Sequence, residues 1–279
     1  MSILIFGGSG QVGAHLVAQS GGTAIPRSAC DLTTASEAQL AALLDHHQPT
    51  HLINAAAYTK VDDAEKQREL TETLNAIAPR RIAAAAASRN IKLLHLSTDY
   101  VFDGRHGPYR EDDTTNPLNH YGASKLRGEQ AVLELGATVF RIQWVFDVRG
   151  HNLFPGLRQL LGERAQLDMV ADQWGAPSYA GHLATAILAA RDVPAGLYHL
   201  AAAGFTSRHG FASAMAAAMG SKCHIRPITS PELPRPAQRP LDTRLDTAKL
   251  AALGVSMPHW REGLKEAFAC ASSTLTSPK

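Results

Sequence analysis

Tyr121 and Lys125 stand four residues apart in the segment YGASK, separated by three small side chains. On a helix that spacing puts both on one face. A free tyrosine has a pKa of about 10, too high for ready proton exchange near neutrality. A neighbouring ammonium favours the phenolate and lowers that value. Gly122, Ala123 and Ser124 leave room for a flat ring and a sugar to approach the pair. Thr98 closes the apolar run KLLHLST, at the kind of strand end where α/β sheets hold their ligands. Its hydroxyl can donate to a substrate carbonyl. Taken singly, each has a plainer reading: an interfacial aromatic, a solvated helix lysine, a strand-end cap. Taken together behind a glycine-rich turn, they read as a proton-transfer site.

That turn is GGSGQVG, in which Gly7, Gly10 and Gly13 enclose Gln11 and Val12 between an apolar run, Ile3 to Phe6, and a helical pattern. A tight strand-to-helix turn brings backbone amides against a pyrophosphate, where any Cβ would obstruct. The helix N-terminus adds a partial positive charge. The spacing therefore predicts dinucleotide binding. An NAD site commonly carries an acid about 20 residues further on. Here TAIPRSACDL puts Arg27 where the second strand should end. An arginine suits the extra phosphate of NADP, or is an ordinary solvated surface residue. Asp31 and Leu32 are candidates for the adenine edge. NADPH is the expected cofactor, with NADH the alternative.

The elements that must position these groups follow from the apolar pattern. Short runs at 3–6, 51–57, 92–98 and 137–146 alternate with helical stretches at about 66–87 and 120–135. Strands apolar on both faces, alternating with helices, predict a parallel sheet covered on both sides. The expected fold is α/β: a Rossmann-type doubly wound parallel sheet with a smaller C-terminal substrate-binding domain. Residues 1–148 make the dinucleotide-binding domain and 149–279 mainly the substrate side, with 183–203 a candidate to return to the main sheet. The proline-rich stretch 226–240 reads as an ordered loop.

At 279 residues, with a net charge of +2 and no basic-aromatic interleaving, the chain gives no footprint for nucleic acid. Cys30, Cys223 and Cys270 are odd in number and far apart, which points to reduced thiols rather than disulfides or a thiolate cage. His46, His47 and His51 lack the helical spacing or nearby acids of a zinc site, so no metal is expected. The start of the chain lacks a basic segment followed by a long apolar stretch, and no run approaches the roughly 20 residues of a membrane span. A cytoplasmic protein, monomeric or homodimeric, is expected.

With these residues in view, the chain resembles the extended short-chain dehydrogenase/reductases, and within them the dTDP-4-dehydrorhamnose reductases. The likeness runs through GGSGQVG (7–13), NAAAYTKVDDAE (54–65), LSTDYVFDG (96–104), PLNHYGASKLRGE (117–129), ADQWGAPS (171–178), GLYHL (196–200) and RPLDTRLDTAKL (239–250). It implies that Thr98, Tyr121 and Lys125 form the catalytic triad, and that Ala55, Ala56 and Ala57 lie beside the cofactor. It implies too that Val61, Asp99, Tyr100 and Trp144 line the sugar site. Some relatives join as dimers through magnesium held by glutamates. One of those positions is His15 here, which argues against a metal bridge. Related sugar-nucleotide dehydratases carry Asp-Glu after the catalytic hydroxyl. Asp99 and Tyr100 follow Thr98 here, which favours plain ketone reduction.

The resemblance thus implies NADPH-dependent reduction of a nucleotide-linked 4-keto-6-deoxy sugar, most directly dTDP-4-dehydro-L-rhamnose. Two other readings stand beside it: a reductase of a different keto sugar, and a non-catalytic NADP-binding subunit like that of methionine adenosyltransferase. Arg239 and Arg244 are candidates to grip the substrate diphosphate or to form structural salt bridges. Asn75, inside a long helical stretch, is a candidate to bind a backbone carbonyl or a water serving proton transfer.

Overall fold

The computed structural model describes residues 2–150 and 152–273. Its centre is a six-stranded sheet. Five strands come from the first half of the chain: β1 (Ile3–Phe6), β2 (Thr23–Ile25), β3 (His51–Asn54), β4 (Lys92–Thr98) and β5 (Thr138–Ile142). The sixth, Gly196–Leu200, pairs in parallel with β5. Across the sheet the order is Gly196–Leu200, β5, β4, β3, β1, β2, and every pairing is parallel. The chain moves outward from β1 in opposite directions to β2 and β3. Such a reversal leaves a crevice at the carboxyl ends of the strands.

Alternate residues of each strand feed two cores. Ile3, Ile5, Ile53, Leu96 and Phe140 pack with Val12 and Leu16 of helix α1 (Gln11–Ser20) and with Leu183 and Ile187 of helix Ala180–Ala189. Leu4, Phe6, Leu52, Leu93 and Val139 pack on the other face with Leu40 and Leu44 of α2 (Glu37–His47), and with Ile82 and Val132. Both faces being apolar, neither a one-sided antiparallel sheet nor a solvated face fits.

Four local departures from the sequence pattern matter. The run 137–146 is not one strand: β5 ends at Ile142 and a two-residue strand, Val145–Phe146, follows after Trp144. Trp144 has φ 43°, a left-handed backbone that no β-strand sustains. The run 51–57 stops being a strand at Asn54, leaving Ala55 to Ala57 as a loop at the carboxyl edge. The helical stretch starts at Arg68 and carries a π-helical segment, Thr73–Ile77, before it continues as Ala78–Ala87. The proline-rich segment opens inside a strand, His224–Ile228, paired in parallel with Gln166–Val170 in a separate two-stranded sheet. Pro227 is tolerated there because a two-stranded ribbon consists of edges.

The three cysteines form no disulfide. Among the described residues no helix is long and apolar enough to cross a membrane, and no group of three or more metal-ligating side chains converges.

Candidate active site

A cleft of about 690 Å³ runs along the carboxyl ends of the strands. Gly10, Gln11, Val12, Gly13 and Ala55 line it. So do Thr98, Tyr121 and Lys125, together with Val61, Tyr100, Trp144 and Arg208.

The glycine turn is built for close approach. Gly7 has φ +77°, and a Cβ there would stand 2.6 Å from the Ala56 amide nitrogen. A Cβ on Gly13 would stand 2.0 Å from the Gly7 carbonyl oxygen, while Gly10 donates its amide to that same oxygen at 2.9 Å. Only a chain without side chains folds so tightly at the mouth of α1. Gln11 Oε1 is buried and finds no hydrogen-bond partner among the described residues, an acceptor left over beside the turn. This cradle fits a pyrophosphate at a helix N-terminus.

Ala55 and Ala57 line the cleft, whereas Ala56 packs against the core and donates its amide to Asn54 Oδ1 at 3.1 Å. The residues expected at the adenine edge sit on the turn after β2. Arg27 is exposed and bound to Asp31 at 3.0 Å. The Asp31 carboxylate also accepts from the Thr33 amide and hydroxyl, which hold it below the usual carboxylate range. Leu32 packs into the core beside α2. None of the three lines the cleft, because the turn after β2 folds back on itself through these bonds.

Thr98 is the last residue of β4. Its Oγ1 accepts from the Tyr100 amide and donates to Asp99 Oδ1, each at 3.2 Å. Tyr121 sits in the first turn of helix His120–Leu133, whose N-cap Asn119 accepts from the Gly122 amide at 2.9 Å. Burial raises the Tyr121 phenol above its ordinary value, opposed by a hydrogen bond with Thr98 and reinforced by the charge of Asp99. Phenol and threonine hydroxyl therefore converge on one point at the strand end.

Lys125 departs from expectation. Its ammonium is buried and donates to the Leu96 carbonyl oxygen, with His95 Nε2 at 3.4 Å. Directed onto the backbone of β4, it does not lower the phenol as the helical spacing suggested. Burial of the phenol dominates instead. Burial likewise brings the Lys125 pKa down to about 8, with Glu129 opposing the shift.

Asn75 lies in the π-helical segment, a feature frequent at functional sites. Its amide closes on the Tyr58 backbone, accepting from the nitrogen at 2.8 Å and donating to the oxygen at 3.1 Å, and donates to Ser124 Oγ at 3.1 Å. It thereby staples the loop after β3 to the helix carrying Tyr121.

Asp99 is buried in the wall of the cleft. It accepts from Thr243 Oγ1 at 2.6 Å and from Gln143 Nε2 at 3.2 Å; burial still raises its pKa. Gln143 Oε1 in turn accepts from the Ala176 amide at 2.7 Å. Three distant sequence segments are locked under Thr98 by this network. Tyr100 sets its ring edge-on to Tyr121, with centroids 5.8 Å apart.

The arginines sort themselves by partner. Arg239 pairs with Asp62 at 3.0 Å and Arg244 with Asp242 at 2.7 Å, and neither lines the cleft. For both, the salt-bridge reading is the one observed. His15 bonds Asp147 at 3.1 Å, tying α1 to the segment after Val145–Phe146. His51 likewise meets Asp192 at 3.2 Å, and the rings of His46 and His47 contact each other.

Sequence reasoning missed Arg208, Asn152 and Arg149 on the cleft wall, and Gln143 and Thr243 beneath it. Thr243 lay within a segment already noted, RPLDTRL; Arg208 follows Thr206 and Ser207 in no motif and had no signal beyond its charge.

A family model described as the RmlD substrate binding domain matches residues 1–272. The dTDP-4-dehydrorhamnose reductase of Burkholderia thailandensis is 39% identical over 285 residues, covering 94% of this chain and 96% of its own length. A crystal structure of a dTDP-4-dehydrorhamnose reductase from Clostridium acetobutylicum superposes with a TM-score of 0.93 at 32% identity, over 98% of this chain and all of that one. The Bacillus anthracis dTDP-4-dehydrorhamnose reductase, solved in complex with NADP, gives 0.91 at 33% identity over 96% of this chain and 98% of its own.

Proposed function

The chain belongs to the family of the RmlD substrate binding domain, that of the dTDP-4-dehydrorhamnose reductases, and from that membership we propose that it reduces the 4-keto group of a nucleotide-linked 6-deoxy sugar with NADPH. The substrate we assign is dTDP-4-dehydro-L-rhamnose, and the product dTDP-L-rhamnose. The observation that carries the reading is the convergence of the Tyr121 phenol and the Thr98 hydroxyl in a cleft that begins at the glycine turn.

Gly7, Gly10, Gly13 and the amide of Gln11 would hold the pyrophosphate, with Ala55 and Ala57 alongside. When bound, the reduced nicotinamide supplies the hydride. Tyr121, held protonated by its burial, is the general acid that gives its proton to the oxygen as negative charge develops there. Thr98 would turn its single proton from Asp99 Oδ1 to the same oxygen. Lys125 holds the cofactor's ribose side from the next helical turn, anchored by Leu96 and His95. Val61, Asp99, Tyr100 and Trp144 bound the sugar. We assign residues 1–148 to the dinucleotide and 149–279 mainly to the sugar nucleotide. The partner is a small nucleotide sugar rather than nucleic acid, and the setting is the cytoplasm.

The test follows NADPH absorbance with dTDP-4-dehydro-L-rhamnose and with other nucleotide-linked 4-keto sugars, for the wild type and Tyr121→Phe. Turnover is expected to fall by roughly 10²–10⁴ in the variant, while NADPH affinity stays within a few-fold. Undiminished turnover in Tyr121→Phe would remove the general acid, and no turnover by the wild type on any such sugar would end the reading.

A further inference from the structure

Most cations near the cleft have a partner within the chain. Arg239 is held by Asp62 at 3.0 Å and Arg244 by Asp242 at 2.7 Å. Lys125 donates to the Leu96 carbonyl and is assigned to the cofactor's ribose. Arg149, which lines the cleft near the glycine turn, lies 3.5 Å from Asp147.

Arg208 is different. It lines the cleft from the first residue of helix Arg208–Met219. Its guanidinium lies 3.6 Å from the centroid of the Trp144 ring, and its charge acts on the Tyr100 hydroxyl. Among the described residues it forms no salt bridge. The carboxylate that attracts it, Asp99, is already taken up by Thr243, Gln143 and Thr98, while Arg239 repels it.

A guanidinium has five donors in one plane. The stack against Trp144 uses its face, so in-plane donors remain. Keeping a cation partly desolvated without an ion pair is unfavourable, and an anion delivered by a ligand offsets that cost. In a nucleotide-linked sugar the charge resides on the diphosphate, whose oxygens match a guanidinium in bidentate fashion. The placement agrees. Tyr100 separates Arg208 from Tyr121, its ring centroid 5.8 Å from that of Tyr121. A sugar with its ketone at the phenol would therefore direct its other end toward the guanidinium.

We propose that Arg208 grips the diphosphate of the nucleotide-linked sugar and sets the preference for a diphosphate over a monophosphate or a free nucleoside. The proposal rests on the reductase reading above. Its test measures dissociation constants of dTDP, dTMP and thymidine by calorimetry on the NADP-loaded protein, for the wild type, Arg208→Lys and Arg208→Met. NADP affinity serves as the check on folding. The wild type is expected to bind dTDP far more tightly than thymidine. In Arg208→Met, dTDP affinity is expected to fall roughly 10–100-fold, the worth of charge-assisted hydrogen bonds, with thymidine unchanged within about twofold and Arg208→Lys between. Equal losses for dTDP and thymidine would mean that Arg208 merely props Trp144, which overturns the proposal, as would undiminished dTDP affinity. A wild type that turns over the keto sugar yet binds dTDP no better than thymidine overturns the proposal alone; one that binds none of the three and turns over no sugar nucleotide overturns the reductase reading with it.

Discussion

Trp144 packs its indole against the backbone of Gly175, so closely that a Cβ on that glycine would stand 2.6 Å from the ring atom Cε2. The indole also carries Arg208 at 3.6 Å, and its own backbone is left-handed at φ 43°. A residue held in that conformation persists only where its surroundings over-determine it. Gly175 belongs to a two-residue strand paired antiparallel to Thr206–Ser207, immediately before Arg208. One small sheet therefore sets both neighbours of the indole.

Replacing Gly175 with valine tests this seat. The side chain must displace the indole, and such overpacking costs about 1–3 kcal/mol. The melting temperature is expected to fall, and KM for the sugar nucleotide to rise by roughly tenfold, the equivalent of about 1.4 kcal/mol. NADPH affinity should hold, since the three atoms nearest such a Cβ all belong to Trp144. An unchanged KM would mean that the indole does not bound the sugar.

Lys125 gives a pH-dependent expectation. Its pKa is about 8 in the folded chain and about 10.4 in an unfolded one. Between those values the unfolded chain holds the proton more often than the native state does, so Lys125 makes stability rise with pH across that window. Below it both forms are charged, and the native state bears the full desolvation penalty. Lys125→Met should therefore be more stable than the wild type near pH 7 by a margin that shrinks toward pH 10. Urea midpoints across that range check it; a constant margin would contradict the burial of a charged amine.

His199 should act at the acid end. Its ring is fully buried on the strand Gly196–Leu200, between Arg141 Nη1 at 3.3 Å and the Asp246 carbonyl at 3.1 Å. Burial, aided by the charge of Arg141, lowers its pKa to about 3, against about 6.5 when unfolded. A lowered histidine contributes stability above pH 6.5 that is lost as pH falls toward 3, because only the unfolded chain takes the proton. His199→Asn should unfold with a shallower pH dependence between those values. An equal loss of unfolding free energy between pH 7 and pH 4 in wild type and variant, from urea titrations, would refute the assignment.

Much of the site was legible because it depends on local spacing. The glycine turn, the Tyr121–Lys125 helix face and the strand ending at Thr98 each follow from a few neighbouring residues. What spacing could not reveal was where charged side chains spend their charge. Arg27 pairs with Asp31 and Arg239 with Asp62, contacts that no motif named. Lys125 lies on the same helix face as Tyr121, yet its long side chain reaches past the phenol to the backbone of β4.

By itself, then, the sequence determined the alternation of strands and helices, the cradle at the start of α1 and the types of group available for proton transfer, since sterics and periodicity act over a few residues. Only the tertiary structure decided the break of the fourth apolar run at Trp144, the Asp99–Gln143–Thr243 lock beneath Thr98, and the delivery of Arg208 to the cleft. These depend on residues 44 and 144 positions apart meeting in a buried, weakly screened interior, where a hydrogen bond's partner is chosen by packing and no local rule names it.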